Sequence, residues 1–123
     1  MTGSRSVLVV EDDPRVGSFI AHGLRDEGYD VEWAVTGEAA LELAGARTFD
    51  LVLLDHMLPG RSGIDVARTL RDGGQRMPIL MLTARDAPED RRAAFAAGAN
   101  QFMGKPFRFA DLVTQIETMV ESG

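Results

Sequence analysis

The chain contains no cysteine, which removes thiol catalysis, disulfide staples and Cys-ligated zinc from consideration and fits a reducing compartment. Lysine is nearly absent as well, Lys105 being the single lysine among 13 basic residues. Positive charge is in deficit overall, and the formal net charge is −6. Nonspecific binding to nucleic acid needs clustered Lys and Arg against the phosphate backbone, so this balance argues against it and suits a metal ion or a protein partner. Met1-Thr2-Gly3-Ser4-Arg5-Ser6 leads into only four consecutive apolar residues, too few for a signal peptide or a membrane span. A soluble, cytoplasmic protein with no membrane contact is expected. A nucleotide-binding phosphate loop is missing too: neither Gly60-Arg61-Ser62-Gly63 nor Gly104-Lys105-Pro106 has the required strand-to-helix spacing.

With 123 residues the chain is expected to form one domain over 1–123, long enough to bury an ordinary core. Short β-type runs alternate with helical stretches, the pattern of a parallel sheet covered by helices on both faces. Asp13 caps and Pro14 opens a first helix carrying Val16, Phe19, Ile20 and Leu24 inward, and Gly28 ends it. Tyr29, Val31, Trp33 and Val35 share one face of an alternating second strand. Thr36 to Ala44 reads as helix two, stopped by Gly45, and the run 51–54 is apolar throughout, as in a strand buried on both faces. Leu58-Pro59-Gly60 turns the chain, and Ser62 starts helix three with Asp65 at capping-box spacing. Pro88 opens an alanine-rich helix ending at Gly98. The fifth helix follows Pro106, ends near 121 and buries Phe109, Leu112, Val113, Ile116, Met119 and Val120. Five βα units result.

Four apolar runs end in residues of the kind that phosphoryl transfer uses: 7–10 before Glu11-Asp12, 51–54 before Asp55, 79–82 before Thr83, and 102–104 before Lys105. Open parallel α/β sheets bind ligands at the carboxyl ends of their strands, so these groups should converge. Mg²⁺ takes hard oxygen ligands, typically one or two carboxylates with waters and phosphate oxygens, and Glu11, Asp12 and Asp55 can supply them. An aspartate kept ionised beside a cation can attack phosphorus to give an acyl phosphate. Lys105 and the Thr83 hydroxyl would then meet the phosphoryl oxygens. The set contains no evident base for rapid hydrolysis, which suits a switch better than a turnover enzyme.

These residues resemble the receiver domain of two-component response regulators. The matching segments are Val7-Leu8-Val9-Val10-Glu11-Asp12-Asp13-Pro14, Asp55-His56-Met57-Leu58-Pro59-Gly60, Leu82-Thr83-Ala84-Arg85 and Lys105-Pro106-Phe107, in the family's order and spacing across essentially the whole chain. The resemblance implies a CheY-like, flavodoxin-like (βα)5 doubly wound α/β sandwich with a five-stranded parallel sheet in order 2-1-3-4-5. It implies Asp55 as phosphoacceptor, with Asp12, Asp55 and the backbone carbonyl of Met57 on Mg²⁺ and Glu11 reaching the metal through water. Thr83 and Lys105 would contact the phosphoryl group, Ala84 would leave room for it, and Phe102 would swing inward as Thr83 moves. A cis bond before Pro106 is also implied. The implied partners are a sensor histidine kinase or histidine phosphotransfer protein upstream and an output domain or protein downstream, with a homodimer on phosphorylation as a further possibility.

Leu82-Thr83-Ala84-Arg85 and Leu58-Pro59-Gly60 look most like receivers of winged-helix transcriptional regulators, which makes transcription the expected output. That subfamily usually carries two acids, joined in salt bridges of its dimer, where this chain has Asn100-Gln101. Phe102 stands where Tyr is commoner and lacks its hydroxyl. The chain stops at Glu121-Ser122-Gly123, just past helix five and with no output domain, so a free-standing receiver and a piece of a longer regulator are both open. Asp13 reads as a helix cap rather than a ligand, His56 as a loop or packing residue, and Arg91 and Arg92 as part of a solvated helix face. Met57 and Arg85 flank the expected entry of hydrolytic water, which suggests slow dephosphorylation. Two rival functions stand beside the switch. A haloacid-dehalogenase-like phosphohydrolase needs a second Asp where Met57 stands. A degenerate receiver acting as a constitutive binding module should have lost one of Asp12, Asp55, Thr83 or Lys105, and all four are present.

Overall fold

A computed structural model describes residues 4–84 and 87–122, so Arg85 lies outside the described residues. Strands Ser6–Val10 (β1), Asp30–Ala34 (β2), Leu51–Asp55 (β3), Ile79–Thr83 (β4) and Gln101–Gly104 (β5) alternate with helices Pro14–Asp26 (α1), Gly37–Ala46 (α2), Gly63–Asp72 (α3), Pro88–Ala96 (α4) and Phe109–Ser122 (α5). All strands are parallel and lie in the order β2-β1-β3-β4-β5. The flavodoxin-like doubly wound sheet is therefore present. None of its helices is long and apolar enough to cross a membrane among the described residues.

Every residue of β1, β3 and β4 is buried, as uninterrupted apolar runs require when helices cover both sides. Alternate side chains build two separate cores. Val7, Val9, Leu51, Leu53, Leu80 and Leu82 pack with Ile20 and Leu24 of α1 and with Leu112 and Ile116 of α5. On the other face Leu8, Val10, Val52, Leu54, Ile79 and Met81 meet Ala40 and Ala44 of α2, Val66, Ala67 and Leu70 of α3, and Ala94 of α4. Each fully buried Leu or Ile contributes about 1.5–3 kcal/mol by leaving water. Helix α4 is anchored differently, because Ala94 is its one buried residue and its N-cap, Ala87, makes no side-chain capping bond. An element tied down by so little apolar surface is the natural one to shift.

The caps follow the local chemistry. Asp13 Oδ1 accepts from the Arg15 N–H, Thr36 Oγ1 from Ala39 and Ser62 Oγ from Asp65, which fixes where α1, α2 and α3 begin. Three sequence expectations are corrected. Helix α2 runs through Gly45 to Ala46, because a glycine there meets nothing and weakens the helix without breaking it. Val35 lies past the end of β2 and is 49% exposed. Phe19 is 57% exposed rather than inward, its ring set edge-on to Phe109 at 5.5 Å, because Ile20, Ala21 and Leu24 already fill the α1 contact.

Candidate functional site

With β1 lying between β2 and β3, the chain leaves β1 toward one sheet edge and returns through β3 toward the other. The carboxyl ends of these two strands therefore flank the crevice where such sheets bind ligands. Glu11 continues the β1–β2 ladder, its N–H donating to Ala34 O at 3.0 Å, and Asp55 is the last residue of β3. Glu11, Asp12 and Asp55 each place a carboxylate oxygen within 4.8 Å of the others. Glu11 and Asp55 are buried and Asp12 is exposed, so the group opens to solvent on one side. Hard oxygen donors at this density suit a small divalent cation such as Mg²⁺.

Lys105, at the end of β5, crosses to this cluster. Its Nζ lies 3.0 Å from Glu11 Oε1 and 3.4 Å from Asp55 Oδ1. Glu11 is further fixed by the Asp13 N–H, which donates to Oε2 at 3.1 Å, and by Trp33, whose Nε1–H donates to the Glu11 carbonyl at 2.9 Å. Burial raises the Glu11 carboxyl above its ordinary value, outweighing the hydrogen bond from Lys105, and the nearby charge of Asp55 acts in the same direction. For Lys105, burial pulls the pKa down, but the bond to Glu11 and the charges of Asp55 and Glu11 prevail and hold it above the usual lysine value. The stability that Glu11 contributes is thus present below the ordinary glutamate range and fades as pH rises through its raised value. The Lys105 contribution is present below the ordinary lysine range and fades only as pH rises through its own raised value. A divalent cation beside Glu11 would favour its ionised form and so oppose the effect of burial.

Met57 is exposed and donates its N–H to Asp55 Oδ1 at 3.3 Å, fixing the carboxylate two residues behind it. The loop that carries it closes against α3. The Gly63 N–H donates to His56 O at 2.9 Å, and a Cβ on Gly63 would run into the Asp55 carbonyl oxygen and His56 Cα. Thr83 is fully buried at the end of β4, and its carbonyl accepts the Lys105 N–H at 2.7 Å. The Lys105–Pro106 peptide bond is cis. Phe102 is not at the carboxylates. It pairs with Met81, two residues before Thr83 in β4, and packs half-buried on the core beneath α2, α3 and α4.

Arg91 and Arg92 are both exposed on α4, as a solvated face requires, and the Arg91 guanidinium also stacks 5.3 Å above the Phe102 ring. His56 lies in the loop after β3, half-buried, and packs with its Nδ1 3.3 Å from Thr83 Oγ1. That contact was hidden in the sequence because it depends on the β3–β4 register. Asn100 is exposed, and its Oδ1 accepts from the Ile79 N–H at 2.8 Å and from Arg71 Nη2 at 2.9 Å. Beside the site, a groove of about 510 Å³ is lined by Val16, Phe19, Ala84, Lys105, Pro106 and Phe107, with Arg15 at its rim. It is mostly apolar, yet it ends on the lysine that touches Asp55.

Residues 7–117 match the family model described as the response regulator receiver domain. The chain is 42% identical over 113 residues to the response regulator protein PmrA of Pseudomonas aeruginosa, covering 92% of this chain and 51% of that protein. It is 38% identical over 117 residues to the transcriptional regulatory protein CusR of Escherichia coli, covering 95% of this chain and 52% of that protein. The chain thus spans about half the length of the curated relatives it matches. The solved structure of the Vibrio cholerae chemotaxis protein CheY4 superposes with a TM-score of 0.91 at 32% identity, covering 95% of this chain and 99% of that one.

Proposed function

The chain belongs to the response regulator receiver family, and from that premise we propose that Asp55 accepts a phosphoryl group from the phosphohistidine of a sensor histidine kinase or histidine phosphotransfer protein. The observation that carries the reading is the meeting of Asp55 with Glu11, Asp12 and Lys105 at the carboxyl ends of three strands. Asp12, Asp55 and the Met57 carbonyl would hold Mg²⁺, and Glu11 would reach it through water. When bound, the cation neutralises charge on the phosphoryl oxygens. An Asp55 carboxylate oxygen attacks phosphorus, a P–O bond forms as the donor's P–N bond breaks, and the leaving imidazole takes up a proton. Lys105 turns from Glu11 to a phosphoryl oxygen, and the Thr83 hydroxyl donates to another. Ala84, having only a methyl group, leaves room.

Phosphorylation thereby draws Thr83 toward Asp55, and Phe102 turns inward into the space behind it. Arg91 loses its stacking partner, and the weakly anchored α4 moves with β5 and α5. Such a population shift requires the phosphoryl group to favour one of two states differentially. The output is regulation of transcription, as the names of the curated relatives suggest, through a domain or protein acting downstream in the cytoplasm. Asn100 is committed to the start of β4 and Gln101 carries no charge, so a homodimer on this face would lack the usual acid-based salt bridges. With the exposed Met57 side chain two residues past the acceptor on the water path, the acyl phosphate is long-lived. A half-life of seconds in the purified protein would contradict that.

Two measurements test the site. Trp33 is the single tryptophan and is hydrogen-bonded to Glu11, so MgCl₂ should change its fluorescence saturably, and Asp12→Ala should remove the change. Mg²⁺ at 100 times its Kd should also stabilise the fold by about 2.7 kcal/mol. That gain should be larger at pH 7.5 than at pH 5, because ligation needs ionised carboxylates and Glu11 holds its proton above the ordinary range. A gain independent of pH, or one retained by Asp12→Ala, would count against Mg²⁺ at this cluster.

The apolar groove ending on Lys105 is the face against which the phosphohistidine helix of the donor packs. Phe19→Ala should slow transfer from a phosphohistidine donor about tenfold, the scale of one buried aromatic contact, while leaving phosphorylation by acetyl phosphate unchanged. Equal slowing with both donors would place Phe19 in the fold rather than in the donor interface.

A further inference from the structure

The contact between His56 and Thr83 belongs to neither the metal cluster nor the apolar groove. Asp55 pairs with Leu82 in the β3–β4 ladder, and the His56 N–H carries the ladder one residue further by donating to Leu82 O at 2.8 Å. Side chains alternate along strands, so His56 and Thr83 stand side by side on the face opposite Asp55 and Leu82. There Nδ1 of His56 meets Oγ1 of Thr83 at 3.3 Å. The backbone of His56 is pinned on both sides, its N–H to Leu82 O and its carbonyl to the Gly63 N–H at 2.9 Å. The main chain that carries the imidazole is consequently fixed beside Thr83.

We infer that His56 is a positioning residue which holds the Thr83 hydroxyl in the resting orientation, so that a phosphoryl group on Asp55 must win the hydroxyl from the imidazole before the switch is thrown. The inference rests on the receiver reading and deepens it. The Thr83 O–H is assigned as the donor to Nδ1 across this 3.3 Å contact, which places the imidazole proton on Nε2. A phosphoryl oxygen is an ionised acceptor and takes the hydroxyl in competition with the neutral ring nitrogen. The switch still pays back one neutral hydrogen bond, which sets its equilibrium about fivefold toward rest. His56 in this role tunes the threshold of switching without touching the reacting atoms.

Beryllofluoride, a stable mimic of the phosphoryl group on aspartate, gives the test. Its dissociation constant at saturating Mg²⁺ would be measured by ¹⁹F NMR for the wild-type chain, His56→Phe, which keeps a ring but no acceptor, and His56→Asn, whose Oδ1 restores an acceptor near the Nδ1 position. His56→Phe should bind about fivefold more tightly, His56→Asn should bind like wild type, and in a Thr83→Val background the gain from His56→Phe should vanish. His56→Ala carries the same expectation should the larger ring disturb folding. In the wild-type chain, ¹⁵N shifts should report Nδ1 as the unprotonated nitrogen before beryllofluoride and a changed environment after it. Unchanged or weaker binding in His56→Phe, tighter binding in His56→Asn, or a gain that survives Thr83→Val overturns the inference. No Mg²⁺-dependent beryllofluoride binding by any variant overturns the receiver reading instead, and the role of His56 falls with it.

Discussion

Lys105→Ala is expected to accept a phosphoryl group on Asp55 and yet fail to change the surface around Phe102. Its ammonium bridges Glu11 and Asp55 at 3.0 and 3.4 Å, and its backbone N–H ties β5 to Thr83 at 2.7 Å. A cation in that place stabilises charge on the transferring group, so phosphorylation by acetyl phosphate should slow by about 10²-fold, the scale for removing one preorganised donor. It should not cease, because the nucleophile and the metal-holding carboxylates remain. The conformational link should break, since the phosphoryl group would no longer be connected through a side chain of β5 to the strand that carries Phe102. Amide chemical shifts at Thr83, Ala84 and Phe102, recorded before and after full phosphorylation, read this directly. Equal phosphorylation-induced shifts in wild type and Lys105→Ala would refute the coupling role.

Gly63→Ala should destabilise the fold by about 3 kcal/mol and slow phosphorylation of Asp55 together. The added methyl meets the Asp55 carbonyl oxygen and His56 Cα, which are backbone atoms in the β3–α3 connection and cannot yield by a rotamer change. Overpacking ordinarily costs 1–3 kcal/mol, and a collision with fixed backbone lies at the upper end or beyond it. The relief is to move the start of α3 away, which breaks the bond from the Gly63 N–H to His56 O and shifts the residue next to the acceptor. Gly28→Ala makes the contrast. Its Cβ would meet nothing within 4 Å, and the cost there comes from a φ of +99° alone. Denaturant unfolding of both variants, with the acetyl phosphate reaction followed in parallel, separates the two effects. A Gly63→Ala variant as stable and as reactive as wild type would mean that the connection is far more pliant than its packing indicates.

The buried strands were legible because β1, β3 and β4 have helices on both sides and so carry unbroken apolar runs, and the acids and the lysine that follow them are positioned by strand ends alone. Glu11, Asp12, Asp55 and Lys105 therefore meet as their places in the sequence required. Phe19 falls outside the buried stripe because a helical stripe read from sequence has no fixed width, and Ile20, Ala21 and Leu24 close the α1 core without it. Gly45 does not stop α2, because the roughly 1 kcal/mol by which glycine weakens a helix is small beside the packing of Ala40 and Ala44. The His56–Thr83 and Arg91–Phe102 contacts join residues 27 and 11 positions apart across elements whose register no single segment specifies. Those two contacts sit where switching would be controlled.

Intact-mass spectrometry after incubation with acetyl phosphate, with and without Mg²⁺ and beside Asp55→Asn, tests the central claim most directly. The expected result is a single phosphoryl adduct that requires Mg²⁺ and disappears in Asp55→Asn. An adduct that persists in Asp55→Asn would place the acceptor elsewhere, and no adduct under any condition would contradict the phosphoacceptor role and leave a constitutive binding module in its place.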